Sequence, residues 1–143
     1  MSPQPAKSLP VPDMDTQPFW DACKARELRV QRCAGCGRFR WPPRAFCPRC
    51  FSWDAEWARL SGRGTVYSYT VVHHVTSPAF KEDVPYVVAL VTLEGTDGAV
   101  QLIGNVIGCP WEHVQAGMPV EVMFEDVSPD VTLPQFRPSG AEQ

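Results

Sequence analysis

Two Cys-x2-Cys pairs, Cys33/Cys36 and Cys47/Cys50, constrain the fold of this chain more than any other feature. Each pair delivers two sulfurs from one tight turn, and two such turns complete the four-thiolate tetrahedron of structural zinc, with Zn–S distances of about 2.3 Å. A closed shell of four thiolates leaves no open coordination position, so we expect a structural zinc site rather than a catalytic one. On spacing alone, a rubredoxin-like iron site and unliganded thiols are the alternatives.

The compartment of the protein decides how its six cysteines are interpreted. No apolar run approaches the roughly 18 residues that indicate a membrane span, and the proline-rich N-terminus lacks the apolar segment of a signal peptide. We therefore expect a cytoplasmic protein without a membrane partner, in which Cys-x2-Cys pairs bind metal instead of forming disulfides. Cys23 and Cys109 lie outside the pattern, and we predict that they are small buried residues rather than nucleophiles.

The chain divides into four predicted segments: a flexible arm over residues 1–15, an N-terminal helix over 16–29, a zinc ribbon over 30–58 and a β domain over 59–143. Thr16 is the predicted N-cap of the helix, with Pro18 in its first turn. A helix this short is marginal alone and must dock on something. Phe19 and Trp20 therefore either cap the protein's own ribbon or anchor a partner subunit.

The strand pattern predicts a mainly β protein. Alternation over residues 28–32 and 38–41 predicts a small hairpin around the first cysteine pair, and the aromatic residues of 51–57 are expected to cover the zinc module. Further strands are predicted over 64–74, 85–93, 100–107 and 119–124, with a helical turn within 110–117 and a short edge strand over 131–136, where Pro134 would break a central strand. This count predicts a five-stranded OB-type barrel, although an SH3-like barrel or a sandwich also fits.

Charge is distributed unevenly along the chain. Residues 24–50 carry eight basic side chains against one acidic, a local charge of +7, whereas residues 51–143 carry four basic against twelve acidic, a local charge of −8. Arginines near the cysteines can screen thiolate charge, aid solubility or bind phosphate oxygens bidentately. Nucleic acid is the first polyanion to consider for a zinc ribbon and an OB barrel, but a barrel half with charge −8 would repel a phosphate backbone. A small anionic ligand on the ribbon side fits both halves.

No catalytic set is evident in the sequence. His73 and His74 end a predicted strand, where their side chains point to opposite faces, and His113 lies in a connection. The chain contains no nucleophile elbow, no zinc-protease motif, no glycine-rich phosphate loop and no carboxylate pair at useful spacing. We therefore expect that the chain is not catalytic alone.

Eight motifs in fixed order resemble the DUF35 family over nearly the whole chain after residue 15. They lie at residues 18–20 (PFW), 28–37 (LRVQRCAGCG), 41–44 (WPPR), 46–50 (FCPRC), 62–69 (GRGTVYSY), 85–91 (PYVVALV), 117–120 (GMPV) and 133–136 (LPQF). The resemblance implies a short N-terminal helix, a rubredoxin-like zinc ribbon and an OB-fold domain.

The resemblance also implies an acyl-CoA-associated accessory subunit of a thiolase-like or aldolase enzyme, acting in thiolysis, condensation or steroid side-chain cleavage. A hot-dog-fold enoyl-CoA hydratase is the alternative partner, and the catalytic residues would lie mainly on the larger subunit. By analogy with thiolase dimers, we expect a hetero-oligomer with two copies of this chain. The resemblance leaves the ligand-contacting residues open, but from the basic charge of the ribbon we expect Arg38, Arg40 or Arg44 to face the phosphates of the nucleotide. A single-strand nucleic-acid binder and a stand-alone enzyme are the competing hypotheses.

Overall fold

The computed structural model describes residues 7–139, which form one α-helix, a three-stranded sheet and a five-stranded barrel. In chain order the elements are α1 (Gln17–Lys24), β1 (Arg29–Cys33), β2 (Phe39–Arg40), β3 (Ala55–Arg59), β4 (Arg63–Val72), β5 (Tyr86–Leu93), β6 (Gln101–Val106), β7 (Pro119–Asp126) and β8 (Thr132–Pro138). Two 3₁₀ turns, Pro78–Phe80 and Trp111–His113, lie in the connections, and the second confirms the predicted helical turn. The predicted fold class is confirmed.

Helix α1 begins where the sequence predicts, but its cap differs in detail. Thr16 occupies the N-cap position without a side-chain bond to the helix, because its Oγ1 accepts the backbone N–H of Asp13 at 3.0 Å. Asp13 Oδ1 in turn accepts the N–H groups of Asp15 and Thr16, each at 2.9 Å. The helix ends at Lys24, before the predicted boundary, and Arg26 with φ 63° turns the chain toward β1.

The N-terminal segment is irregular from Lys7 to the start of α1, and residues 1–6 of the predicted arm lie outside the described residues. Lys7 Nζ lies 2.6 Å from Asp83 Oδ2 and 5.3 Å from the ring centroid of Phe80, so it contacts the connection between β4 and β5. The flexibility of residues 1–15 stays a prediction. Within residues 7–139, no helix has the length and apolar character that crossing a membrane requires.

The ribbon sheet has the order β2-β1-β3. The predicted hairpin is confirmed, since β1 pairs antiparallel with β2. Strand β3 was not predicted: its five residues pair with all of β1, from Arg29 opposite Arg59 to Cys33 opposite Ala55. Its sequence, AEWAR, has low intrinsic strand propensity, so pairing with β1 decides its conformation. Of the aromatic residues in 51–57, Phe51 and Trp53 are exposed and Trp57 is partly buried in β3, and their cover of the zinc module stays a prediction.

The barrel closes in the order β4-β5-β6-β8-β7, as an OB fold requires. Strand β5 shows the alternation that closure demands, with every second side chain, from Val87 to Leu93, buried inside. The prediction that the last strand lies at an edge is wrong, because β8 lies between β6 and β7. It pairs with β7 over seven positions, whereas its parallel contact with β6 is the single pair Val106 and Phe136. Pro134 is therefore tolerated because one side of this strand is nearly free of ladder bonds.

One hydrophobic cluster joins the helix and the ribbon to the barrel. Phe19, Cys23, Leu28 and Val30 belong to the same buried cluster as the barrel interior around Phe136. The aromatic rings of Trp20 and Trp41 pack against this cluster while staying partly exposed. This shared core fixes the ribbon beside the barrel and so determines which surfaces meet.

Candidate metal centre and adjoining ligand surfaces

The four predicted ligands come together at the tip of the ribbon. All four sulfurs of Cys33, Cys36, Cys47 and Cys50 lie within 4.8 Å of one another. The Sγ atoms of Cys33 and Cys50 are 3.4 Å apart, and those of Cys36 and Cys47 are 3.7 Å apart. Sulfurs at the corners of a Zn–S tetrahedron lie about 3.8 Å apart. The arrangement therefore fits a four-thiolate metal site with no open position.

Close turns bring the two cysteine pairs together. Gly37 has φ +78°, a left-handed conformation that glycine adopts without strain. At Gly35, an added Cβ would lie 3.0 Å from Ser52 Cβ and 3.3 Å from Cys50 Sγ, so a side chain would press against the second pair. The two glycines therefore allow the backbone to fold closely around the four cysteines.

Hydrogen bonds favour the charged form of two thiols. The backbone N–H groups of Cys50 and Arg49 lower the pKa of Cys47 to about 6, and the N–H of Cys36 lowers the pKa of Cys33. Cys50 accepts the N–H of Ser52, which lowers its pKa, but the neighbouring thiols and burial outweigh this bond and raise the pKa to about 11. Four thiolates cannot all ionise side by side without a compensating cation, and a bound metal supplies that charge.

A cavity of about 320 Å³ adjoins the second cysteine pair. All three arginines predicted to face phosphate, Arg38, Arg40 and Arg44, line it together with Arg49. No acidic side chain is among its described lining residues, which also include Trp41 and Ala99. We refer to this space as the arginine cavity. Its charge and shape suit an anion.

Arg40 is the most constrained residue of the arginine cavity, with only 9% of its surface exposed. Its Nε donates to Gln31 Oε1 at 2.7 Å, and its Nη2 donates to the carbonyl oxygen of Arg44 at 3.1 Å. Gln31 Oε1 also accepts the backbone N–H of Arg44 at 2.9 Å, which fixes the loop. Arg40 Nη1 is buried without a partner among the described residues. Buried guanidinium N–H groups normally have an acceptor, so this N–H marks a place where a water molecule, an ion or a ligand oxygen would complete the hydrogen bonding.

A second depression, the apolar groove, runs between α1 and the barrel face formed by β5, β6 and β8, with a volume of about 600 Å³. Its aliphatic floor includes Val88, Leu90 and Ile103, and the last is 67% exposed. Among the described residues that line the groove, none carries a charge. Single-strand binding by an OB face needs basic residues beside aromatic ones, so this face does not suit nucleic acid.

The structure separates the two aromatic residues predicted for a partner interface. Phe19 is 3% exposed, and its ring contacts Trp20 and Trp41 at centroid distances of 5.0 and 4.7 Å. Phe19 is therefore a core residue that presents no surface to a partner. Trp20 is partly exposed and lines the apolar groove.

The ribbon carries a more exposed aromatic surface than α1 does. Phe46, Phe51 and Trp53 are 41%, 68% and 72% exposed, and the rings of Phe46 and Trp53 lie 5.4 Å apart. We call these three residues the aromatic patch. Clustered exposed aromatic residues are typical of protein–protein interfaces.

The remaining histidines and cysteines form no catalytic arrangement within residues 7–139. Cys23 is fully buried, which raises its pKa to about 12, and burial also raises the pKa of Cys109. Both cysteines are poor nucleophiles in these surroundings. His73 packs its ring edge-on against Trp111 at 5.1 Å, and His74 and His113 are exposed. The four-cysteine cluster is the one group of described residues placed to hold a metal.

Three contributors to these surfaces were missed at the level of sequence. Gln31 orders Arg40 and Arg44, although an amide in a strand carries no distinctive signal. Arg49 lies between two ligand cysteines, and this position in the second turn could have indicated that it joins the cavity. Trp41 lines both the arginine cavity and the apolar groove, which no sequence pattern predicts.

Two family models match this chain. One, described as "ChsH2, rubredoxin-like zinc ribbon domain", matches residues 20–54, and the other, "ChsH2, C-terminal OB-fold domain", matches residues 57–125. The first match contains all four clustered cysteines, and this supports zinc as the structural metal.

Curated relatives fall into two groups. The chain is 41% identical over 142 residues to the "Probable enoyl-CoA hydratase alpha subunit" of Thermomonospora curvata, and 39% identical over 133 residues to the "3-oxo-4,17-pregnadiene-20-carboxyl-CoA hydratase alpha subunit" of Mycobacterium tuberculosis. These alignments cover 99% and 93% of this chain but 43% and 40% of those relatives, so the chain spans about two fifths of their length. It is 40% identical to a "DUF35 domain-containing scaffold protein" of Methanocaldococcus jannaschii, over 78% of this chain and 77% of that protein.

Among solved structures, a chain of the "Ltp2-ChsH2(DUF35) aldolase" is similar to this one throughout. The TM-score is 0.82 and the identity 41%, over 91% of this chain and 98% of that chain.

Proposed function

The chain belongs to the DUF35 family, and on that premise we propose that it is an accessory, acyl-CoA-associated subunit of a thiolase-like enzyme of the lipid-transfer-protein thiolase or aldolase type. The observation that carries the proposal is the likeness to a chain of the Ltp2-ChsH2(DUF35) aldolase, at TM-score 0.82 over 98% of that chain. In this role the chain supports carbon–carbon bond cleavage or formation on an acyl-CoA. The name of the Mycobacterium tuberculosis relative favours a steroid-derived acyl group, and a fatty acyl group is the alternative.

A supporting role agrees with the chemistry of the described residues. The metal centre has a closed thiolate shell, and Cys23, Cys109 and the histidines form no nucleophile–base pair. When bound, the zinc ion supplies structural cross-linking and charge compensation. The reacting groups then belong to the larger subunit, while this chain contributes surface and shape.

We place the partner on the aromatic patch of the ribbon. Phe51 and Trp53 expose most of their ring surface, and aromatic residues of this kind supply much of the binding energy at interfaces. Trp20, the other predicted interface residue, is less suited because its exposed part lines the apolar groove. The partner is a thiolase-like protein, with two copies of this chain in a symmetric assembly.

The phosphates of the acyl-CoA are assigned to the arginine cavity. Arg38 and Arg44 are exposed beside it, buried Arg40 adds its positive charge to the lining, and guanidinium groups bind phosphate oxygens through charge-assisted hydrogen bonds. The barrel half of the chain, with its local charge of −8, does not compete for these anions.

A hot-dog-fold enoyl-CoA hydratase is the second candidate partner. The names of two curated relatives favour it, since both are hydratase alpha subunits that match this chain over nearly all of its length. A single-stranded nucleic-acid function has no comparable support, because the face that an OB fold uses for single strands is apolar here.

Co-expression followed by native mass spectrometry tests the accessory role. The chain is co-expressed separately with a thiolase-like protein and with a hot-dog-fold hydratase from the same organism, and we expect a zinc-containing complex with the first. Phe51→Ala combined with Trp53→Ala should weaken that complex at least about tenfold, whereas Tyr67→Ala, which removes another exposed aromatic ring from the barrel, should leave it intact. A complex with the hydratase alone supports the second candidate. Absence of both complexes, with and without acyl-CoA, would overturn the accessory role.

A further inference from the structure

The arginine cavity and the apolar groove share a wall. The ring of Trp41 lines both, and the short segment from Ala99, in the cavity, to Gln101, in the groove, continues the contact on the barrel side. Trp41 is held in place by its packing against buried Phe19 at 4.7 Å. The two spaces therefore adjoin at a fixed aromatic side chain.

The two spaces differ sharply in chemistry. On one side of Trp41, four arginines face a cavity without an acidic side chain among its described lining residues, and the buried Nη1 of Arg40 has no partner there. On the other side, uncharged and largely apolar side chains, aliphatic and aromatic, form a groove about twice as large. A ligand that satisfies both must carry phosphate groups at one end and an apolar segment at the other.

We propose that the arginine cavity and the apolar groove form one ligand channel, in which the phosphates of an acyl-CoA bind the arginines and its apolar acyl segment lies along β5 and β6. This inference rests on the proposed acyl-CoA role and adds two features to it. Arg49 becomes a phosphate-binding residue beside the predicted three arginines. Ile103, exposed on the groove floor, becomes a residue that favours longer acyl chains.

Charge and burial select this occupant over a helix of a partner protein. A helix laid in the groove would cover the aliphatic floor but would leave the four arginines of the cavity beyond Trp41 without an anionic partner. A thioester with a phosphorylated head covers both. Burial of apolar chain on Val88, Leu90 and Ile103 should then add affinity with each methylene, up to about fourfold per fully buried group.

Isothermal titration of the zinc-loaded full chain tests the channel. The probes are adenosine 3′,5′-bisphosphate, CoA, hexanoyl-CoA and decanoyl-CoA, each below its micelle-forming concentration. We expect decanoyl-CoA to bind at least about tenfold more tightly than hexanoyl-CoA. Ile103→Asp should abolish this ratio and leave the affinity for the bisphosphate unchanged. Arg49→Gln should weaken all four probes by a similar factor of about 10 to 100.

Matched variants separate the channel from general effects. Tyr67→Asp places the same charge on another exposed barrel position, and Arg63→Gln removes an arginine outside the cavity. Both should bind all probes like the unmodified chain. Circular dichroism of each variant establishes that it is folded before titration.

Three results would overturn the channel: equal affinity for the two acyl chains, a chain-length ratio retained in Ile103→Asp, or equal losses in Arg63→Gln and Arg49→Gln. Native mass spectrometry of the complex distinguishes failure of the channel from failure of the accessory role. If the complex forms but the affinity of the isolated chain does not depend on acyl length, only the channel is refuted. If the affinity depends on acyl length but no complex forms, only the accessory role is refuted.

Discussion

The ribbon and the barrel of this protein are both antiparallel in the main, yet they are held together by different means. In the ribbon, β2 has two residues, and the buried positions include polar Gln31 and Arg40 as well as two of the clustered cysteines. In the barrel, five longer strands enclose an apolar interior around Phe136. The ribbon shares Leu28 and Val30 with the apolar core but depends on a metal at its tip, whereas the barrel depends on apolar burial throughout, so the two should fail under different treatments.

Metal removal should produce the largest effect, and it should be confined to one side of the molecule. Binding of zinc to four thiolates contributes about 10–16 kcal/mol to folding in small zinc domains. After chelation, we expect hydrogen exchange to accelerate throughout β1 and β3, while the amides of β5 and β6 stay protected. Mass-spectrometric hydrogen exchange with and without chelator measures both regions in one sample.

The metal content serves as the control for that experiment. Elemental analysis of the purified chain should give one zinc per chain before chelation and none afterwards, and one iron per chain would identify a rubredoxin-like centre instead. Readdition of zinc should restore protection in the ribbon. Equal loss of protection in the barrel would show that the shared core, rather than the metal, governs both regions.

Phe136→Ala should give the complementary result in the barrel. Phe136 is fully buried and packs across from Gly104, where an added Cβ would lie 2.9 Å from its ring. Removing the ring leaves a cavity and should lower the free energy of unfolding by about 3–5 kcal/mol, measured by urea denaturation of the zinc-loaded chain. Zinc retained below the unfolding transition would confirm that the ribbon is independent of this loss. Zinc release from Phe136→Ala below its unfolding transition, or in buffer without urea, would contradict this independence.

The sequence was a better guide to the barrel than to the ribbon, and the reason is physical. The β-branched and aromatic residues of β4 and β5 indicate strands directly, so the barrel strands could be predicted and only the place of β8 was wrong. Strand β3 carries little apolar periodicity, because pairing with β1 rather than burial holds it. Its existence therefore had no clear signal in the residues themselves.

The candidate sites likewise include features that could be predicted from the sequence and features that could not. The four cysteines could be predicted because metal chemistry fixes both residue type and spacing. For the arginine cavity, the charge and three of its arginines were anticipated, but the ordering of Arg40 by Gln31 was not, since that bond depends on the register of β1 and β2. Burial of Phe19 and exposure of Phe51 and Trp53 depend on how the ribbon sits against the barrel, which local patterns do not contain.

The smallest expected effect concerns an ion pair between the turn that leads from α1 into the ribbon and the barrel, formed by Arg26 and by Asp126 at the end of β7. The guanidinium donates Nη1 to Oδ1 at 3.0 Å and Nη2 to Oδ2 at 2.6 Å, and Thr132 Oγ1 donates to Oδ1 at 2.6 Å. Arg26, and then Thr132, lower the pKa of Asp126 below its ordinary value. A lowered folded pKa means that the contribution is complete above the unfolded carboxyl pKa of about 3.9 and is lost only as the pH falls through the folded value.

Because protons displace thiolate-bound metal, acid would disrupt the zinc site before it tests this ion pair, so salt is the better variable. Both partners are at least half exposed, and at 1 M salt the Debye length is about 3 Å. In a cycle of Arg26→Ala, Asp126→Asn and the double variant at pH 7, we expect a small coupling in the urea midpoints at low salt that largely disappears at 1 M. A coupling unchanged by salt would mean that packing and directed hydrogen bonds, rather than charge, join the helix to the barrel there. The ribbon side and the barrel would then be less independent of each other than the comparison above proposes.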